Sequence, residues 1–177
     1  MPNWVKNDVR IASKQALKDC IKTEHRTGQG WEEDITFFDF NEVIPMPEEL
    51  KGNNKVYPMN GERKNSEELI KKYGADNWYD WSVENWGTKW NTDSCTKTGV
   101  GCVMFNTAWD TPEPVMRELS KKYHTRVEVY YADEDLGNNC GHYVYEDGKI
   151  VKDEVGDYEL ACEIWGYDPE EMREYYE

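Results

Sequence analysis

Three histidines (His25, His124, His142) and five cysteines (Cys20, Cys95, Cys102, Cys140, Cys162) are where catalytic or metal chemistry would have to start in this chain. Cys140-Gly141-His142 offers two metal ligands within three residues. A zinc site wants four, no C-x-x-C supplies the others, and Cys95 and Cys102 are the remaining candidates to join them. Asp133, Asp135 and Asn139 have part of a calcium-loop spacing, yet the glycine and the closing glutamate are misplaced. The signatures G-x-x-x-x-G-K-[ST], H-E-x-x-H and G-x-S-x-G are missing, and Gly99-Val100-Gly101 is too short for a dinucleotide fingerprint. With 36 Asp and Glu, no carboxylate pair stands out as a general acid–base couple. The histidines fall near the ends of expected elements and read as surface residues. The inventory leans away from catalysis: it names no catalytic residue, no metal and no cofactor.

Chemistry of another kind is concentrated in WYDWSVENWGTKWN, which puts four of the eight tryptophans into the thirteen residues from Trp78 to Trp90. Asn77 can cap a helix over 78–86, with Asp80 in the favourable first turn and Gly87 as its stop. At about 100° per residue, Trp78, Trp81, Trp86 and Tyr79 share one side, and Asn85 falls in the middle of it. A buried amide without partners costs roughly 1–3 kcal/mol, so Asn85 either ties down a backbone or points into a polar pocket between the rings. Beyond Gly87 the segment reads as extended, with Lys89 and Asn91 on one side and Trp90 on the other. The cluster is thus either core, with Asn85 as an internal staple, or a cleft with aromatic walls and convergent amides. Trp109 and Asp110 could complete such a cleft.

The elements that must hold these residues follow from pattern. NWVKNDVRIA alternates as a strand, and Ser13 caps KQALKDCIK, which puts Lys14, Lys18 and Lys22 on one exposed face. ITFFDF suits a strand that Pro45 and Pro47 end. Residues 51–65 read as a long surface loop and SEELIKKYG as a short helix begun at Ser66 and stopped by Gly74. GVGCVMFNTAW, apolar on both faces over Val100–Phe105, reads as a central strand. TPEPVMRELSKKYH carries Val115, Met116, Leu119 and Tyr123 at helical spacing. TRVEVYYA reads as a half-exposed strand, and HYVYEDGKIVKDE as a hairpin turned at Asp147-Gly148. Two short acidic helices close the sequence. The order gives an α+β fold: a ferredoxin-like split βαβ antiparallel sheet with helices on one face. A single domain over 1–177 is expected, with 41–77 as an insertion and 151–177 as an acidic extension.

Composition sets the partners. Mean hydropathy is -0.95, but 14% aromatic residues supply the means to bury a core, expected to be aromatic rather than aliphatic. There is no apolar run long enough to span a membrane and no apolar leader, so the reading is a cytoplasmic protein with reduced thiols. The net charge of -15 is uneven. Residues 1–30 carry six Lys/Arg against three Asp/Glu, and 151–177 carry two against ten. Such a balance argues against direct nucleic-acid binding, which needs phosphates neutralised, and fits either solubility or a partner with a basic surface.

MPNWVKN, IPMPEEL, WYDWSVENWGTKWN and FNTAWDTPEPVMRELSKKY, in that order, resemble the YubB-like family of plasmid and phage proteins. The resemblance implies a ferredoxin-like domain and a mobile-element origin in a bacterial host, and brings no established activity or catalytic residue. Two function classes are carried forward. The first is a non-enzymatic accessory protein that binds a host macromolecule, such as a defence nuclease of the CRISPR kind, and inhibits it. Its acidic surface would be Asp153, Glu154, Asp157, Glu159, Glu163, Asp168, Glu170, Glu171 and Glu174. The second is a small-ligand-binding protein or weak enzyme built on Trp78, Trp81, Asn85, Trp86, Lys89, Trp90, Asn91, Trp109 and Asp110. Self-association through exposed aromatics is a third, plainer possibility.

Overall fold

Val5, Val9 and Ile11 alternate with Lys6, Asp8 and Arg10, and the apolar set is buried while the polar set faces the other way. That period of two makes the first strand and gives it two usable faces. In the computed structural model, which describes residues 3–52 and 66–176, the chain runs β1 (Trp4–Ile11), α1 (Lys14–Cys20), β2 (Ile21–Gly28), β3 (Trp31–Phe38), α2 (Ser66–Tyr73), α3 (Trp78–Trp86), β4 (Asp93–Gly99) and β5 (Cys102–Ala108). It continues through α4 (Glu113–Lys122), β6 (Val127–Asp133), β7 (Cys140–Glu146), β8 (Lys149–Val155), α5 (Tyr158–Trp165) and α6 (Pro169–Tyr176). The main sheet has the order β4-β5-β1-β6-β7-β8, every neighbouring pair antiparallel. β5, α4 and β6 form a crossover unit with β1 inserted between the two strands, which is the expected split βαβ. β4 completes the ferredoxin-like four, and the β7–β8 hairpin extends the sheet. Asp147 and Gly148 both have positive φ, as the type I′ turn requires.

α1, α3 and α4 pack on the face carrying Val5 and Val9. Their Ala16, Cys20, Trp81, Trp86, Val115, Met116 and Leu119 share one core with Phe38, Phe40, Phe105, Val127 and Val129. The core is therefore mixed, aliphatic on the strands and aromatic between β3, α3 and β5; the rings of Phe38 and Phe105 lie 5.5 Å apart. A polar plug sits within it. Asn7, fully buried, donates to the carbonyl of Val5 (3.0 Å) and to Oγ1 of Thr107 (2.8 Å), bridging β1 and β5. α5 covers part of the opposite face: Trp165 donates from Nε1 to the carbonyls of Ala132 and Asp133, and Lys6 holds its ammonium 4.6 Å from the Trp165 ring.

Several boundaries differ from the sequence reading. α1 stops at Cys20, and Ile21 is extended and opens β2, so Lys22 is off the helix. β2 pairs with β3 from Ile21↔Phe38 to Gly28↔Trp31 as a separate two-stranded sheet. The strand over ITFFDF ends at Phe38, well before Pro45, because the Asp39 carboxylate caps a 3-10 turn by accepting from the N–H of Asn41 (3.0 Å). Val100 is not in a central strand: it is 88% exposed, in the turn between β4 and β5. β6 is largely buried rather than half-exposed, since α5 closes over Ala132. Most of the expected 51–65 loop lies outside the described residues.

Candidate binding surfaces

The tryptophan motif divides at Gly87. Before it, Asn77 accepts the N–H of Asp80 (2.9 Å) and α3 forms as expected; Gly87 ends it in the left-handed region (φ 77°). Trp81 and Trp86 are buried edge-to-face (5.5 Å, 82°), and Trp86 donates from Nε1 to the carbonyl of Ile44 (2.9 Å). Asn85 reaches neither a pocket nor a distant strand: its amide donates to the carbonyl of Trp81, one turn back (2.9 Å). Asn91 is a bracket, accepting the N–H of Phe40 (3.0 Å) and donating to Asp39 (2.8 Å). The two amides expected to converge on a ligand are thus bonded to protein groups, Asn85 by the backbone tie that was one of its two expected roles.

After Gly87 the chain is tied down twice. Thr88 donates to the carbonyl of Ala108 (2.7 Å) and Ser82 to that of Lys89 (2.8 Å). These bonds set Lys89 over the end of β5. Its ammonium lies 4.2 Å from the Trp90 ring, 5.3 Å from Trp109 and 5.7 Å from Tyr79. Trp4 stands 6.3 Å from Trp90 and Tyr79 6.1 Å from Trp109, with Trp78 beside Tyr79 at 5.8 Å. The result is an aromatic cage at the surface whose cation is the protein's own lysine. Trp90 and Trp109 remain 37% and 41% exposed. Trp4 and Tyr79 were missed as cage members; the outward phase of Trp4 in β1 was the available signal. Asp110 is engaged by neighbouring protein groups. Its carboxylate accepts the N–H of Thr111 (2.8 Å), and its carbonyl accepts from Thr107 (2.7 Å), shaping the entry to α4.

The acidic residues also divide. Asp157 and Asp168 cap helices, accepting the N–H groups of Leu160 (2.9 Å) and Glu170 (2.9 Å). Glu159 pairs with Arg173, and Glu154 with Lys152 (2.8 Å), which holds the Glu154 carboxyl below its ordinary value. Asp153, Glu163, Glu170, Glu171 and Glu174 are exposed and make no ion pair among the described residues. They are the free part of the acidic end.

The metal candidates separate. Cys140 lies under α5 with Ala161 and Ile164, whereas Cys95 and Cys102 are on the β4–β5 hairpin, across β1 and β6. No group of three or more His, Cys, Asp or Glu side chains suited to a metal occurs among the described residues. Burial pushes the Cys20 thiol up to about 12 and Cys95 to about 11, which keeps both protonated and poorly nucleophilic. In the calcium-like loop, Asp133 accepts the N–H of Asp135 (2.8 Å) and Asn139 donates to the carbonyl of Trp109 (3.1 Å), so these groups build the turn. His142 is not a surface residue. It is 7% exposed in the middle of β7, stacked on Tyr130 at 3.9 Å, with the Arg10 guanidinium 4.6 Å from the same tyrosine ring.

No curated protein matches this chain. The crystal structure of a protein api92 from Yersinia pseudotuberculosis is similar, with a TM-score of 0.47 and 9% identity, covering 89% of this chain and 98% of that one. A family model described as the ferredoxin-like domain in Api92-like protein matches residues 85–177, which take in the β5–α4–β6 unit and both C-terminal helices. With just over half of its length matched, and with the sheet order to go with it, the chain belongs to the Api92-like family and carries that family's ferredoxin-like domain.

Proposed function

We propose that this protein is a non-enzymatic accessory protein of a phage or plasmid, acting in the bacterial cytoplasm by binding a host protein with a basic surface through α5, α6 and the adjoining β8. The observation that carries the reading is the group of five exposed carboxylates, Asp153, Glu163, Glu170, Glu171 and Glu174, unmatched by cations among the described residues. Carboxylates that only served the fold would be expected in caps and ion pairs, as Asp157, Asp168 and Glu159 are. Unmatched like charge on one short segment raises local potential, speeds encounter with a basic surface and makes the complex salt-sensitive. The nucleic-acid channel of a defence nuclease has the complementary charge, and occupying it would inhibit the nuclease.

The test is capture from host lysate by the tagged protein and by a variant with Glu163, Glu170, Glu171 and Glu174 all changed to Lys, each at low and high salt. A stoichiometric host protein, held at low salt, released at high salt and absent from the variant, supports the reading. A partner that the variant retains equally well refutes it.

A further inference from the structure

A group of basic side chains lies elsewhere. α1 and the β4–β5 hairpin border a groove of about 380 Å³, within the size range of small-ligand pockets. Lys14, Lys18 and Lys97 rim it, Leu17, Ile21 and Cys102 contribute its less polar surface, and no carboxylate lines it among the described residues. Leu17 and Ile21 are half-buried and pack against the main core, so the apolar part of the groove is fixed. The lysines come from two elements: Lys14 and Lys18 are one turn apart on α1, and Lys97 projects from β4.

Among the described residues these lysines differ from their cationic neighbours in having no ion-pair partner. Lys22, expected on the same stripe, leaves it with β2 and pairs with Glu42 at 2.9 Å. In the adjoining hollow, which shares Cys102, Arg126 is held by Glu128 and Glu146 and Arg10 by Asp8. Lys14, Lys18 and Lys97 form no ion pair among the described residues, in a chain with 36 Asp and Glu. Three like charges around one groove repel one another, and a bound anion would relieve that repulsion. The apolar wall beside them adds burial of a hydrocarbon segment to the attraction.

We propose that this groove binds a small organic anion, a carboxylate or phosphate monoester bearing a short apolar chain. The head group sits among Lys14, Lys18 and Lys97 and the chain lies over Leu17 and Ile21. This site is separate from the acidic end, which rests on β6 and β1 through α5.

The experiment follows the methyl resonances of Leu17 and Ile21 during titration with octanoate, octyl phosphate, octanol and inorganic phosphate. Saturable shifts with octanoate or octyl phosphate are expected, the tighter of the two identifying the head group. Octanol and inorganic phosphate should each bind at least about tenfold more weakly, because each lacks half of the recognition. The triple variant Lys14→Gln, Lys18→Gln, Lys97→Gln changes only exposed side chains and should keep the fold while losing at least about tenfold in octanoate or octyl phosphate affinity. Octanol binding as tightly as octanoate, undiminished binding by the triple variant, or no saturable shift with either anion would overturn the proposal. Displacement of octyl phosphate by a single-stranded oligonucleotide would reassign the groove to nucleic acid. Shifts that depend on protein concentration without ligand would reassign it to the acidic end of a second copy.

Discussion

Trp86 and Trp90 stand four residues apart in one motif and occupy opposite surroundings. Trp86 is 4% exposed, wedged between Phe40 and Trp81 with its indole N–H bonded to a carbonyl. Trp90 is 37% exposed and offers its face to a lysine. What separates them is Gly87, whose left-handed backbone turns the chain out of the core, and Thr88, which anchors the new direction on β5. The lesson is that a tryptophan-rich motif is not one functional unit. Its helical half builds the core and its extended half builds surface.

Breaking the buried half should have the largest effect. Trp86→Ala is expected to lose about 3–5 kcal/mol, a large-to-small change in a closed site, whereas Trp90→Ala should stay within about 1 kcal/mol. Urea unfolding of the two variants gives both numbers, and equal losses would abolish the distinction. Next comes the turn. At Gly87 (φ 77°) an added Cβ would meet Cδ of Pro114 at 2.9 Å, so Gly87→Ala is expected to cost about 2 kcal/mol and to blue- or red-shift the emission of Trp90. Unchanged stability there would show that the backbone reversal is not what parts the two rings. Smaller still is Lys89→Met, which keeps most of the stem and removes the charge. A loss of about 0.5–1 kcal/mol is expected, the worth of an exposed cation–π contact, together with a changed near-ultraviolet dichroism. A loss as large as that of Trp86→Ala would make the cage part of the core.

A fourth test contrasts the untitratable inner rings with the stack on the outer face of the sheet. Burial, then the nearby Lys152, lower the His142 pKa from its ordinary value, against the opposing pull of Glu128 and Glu154. The unfolded chain therefore takes up the proton first as pH falls. Stability is unaffected above the unfolded value of about 6.5 and declines below it until the folded pKa is passed. Urea midpoints measured downward from neutral pH should show that decline in the native protein and a shallower one in His142→Phe. Parallel slopes would mean that His142 does not contribute.

How much of this was legible beforehand follows from where each signal resides. Ser13, the Asn77–Gly87 pair and Asp147-Gly148 act on their own few residues, so the elements they bound could be read directly. The β5–α4–β6 half of the split βαβ sheet followed from element order, whereas the strand expected at ITFFDF pairs in the two-stranded sheet and β4 takes its place in the main one. β2 and β4 could not be read, because Glu24, His25 and Arg26, and then Thr96, Lys97 and Thr98, are all exposed and leave no apolar period. The burial of His142 depends on its cross-strand stack with Tyr130 and the closure of β6 on where α5 lands, neither of which a local pattern states. Of the two alternatives for Asn85, the backbone tie is the one found, a local bond to the carbonyl of Trp81, whereas Asn91 is committed to Phe40 and Asp39 by tertiary placement that no local pattern states. Lys97 entered the basic groove unforeseen, because two strands invisible to periodicity decide which lysines meet.

The position of β1 has a consequence for how the chain is made. Val5 is paired with Thr107 on one side and with Asp133 on the other, partners about a hundred residues and more downstream. β1 is therefore enclosed only by strands that follow it at long range, and closing loops of that length slows folding relative to a chain of local contacts. A fragment spanning only the matched segment 85–177 would hold β5 and β6 without the strand that joins them, leaving two open edges facing a gap. Such a fragment is expected to aggregate when expressed alone and to recover a soluble sheet when a peptide spanning β1 is supplied in trans.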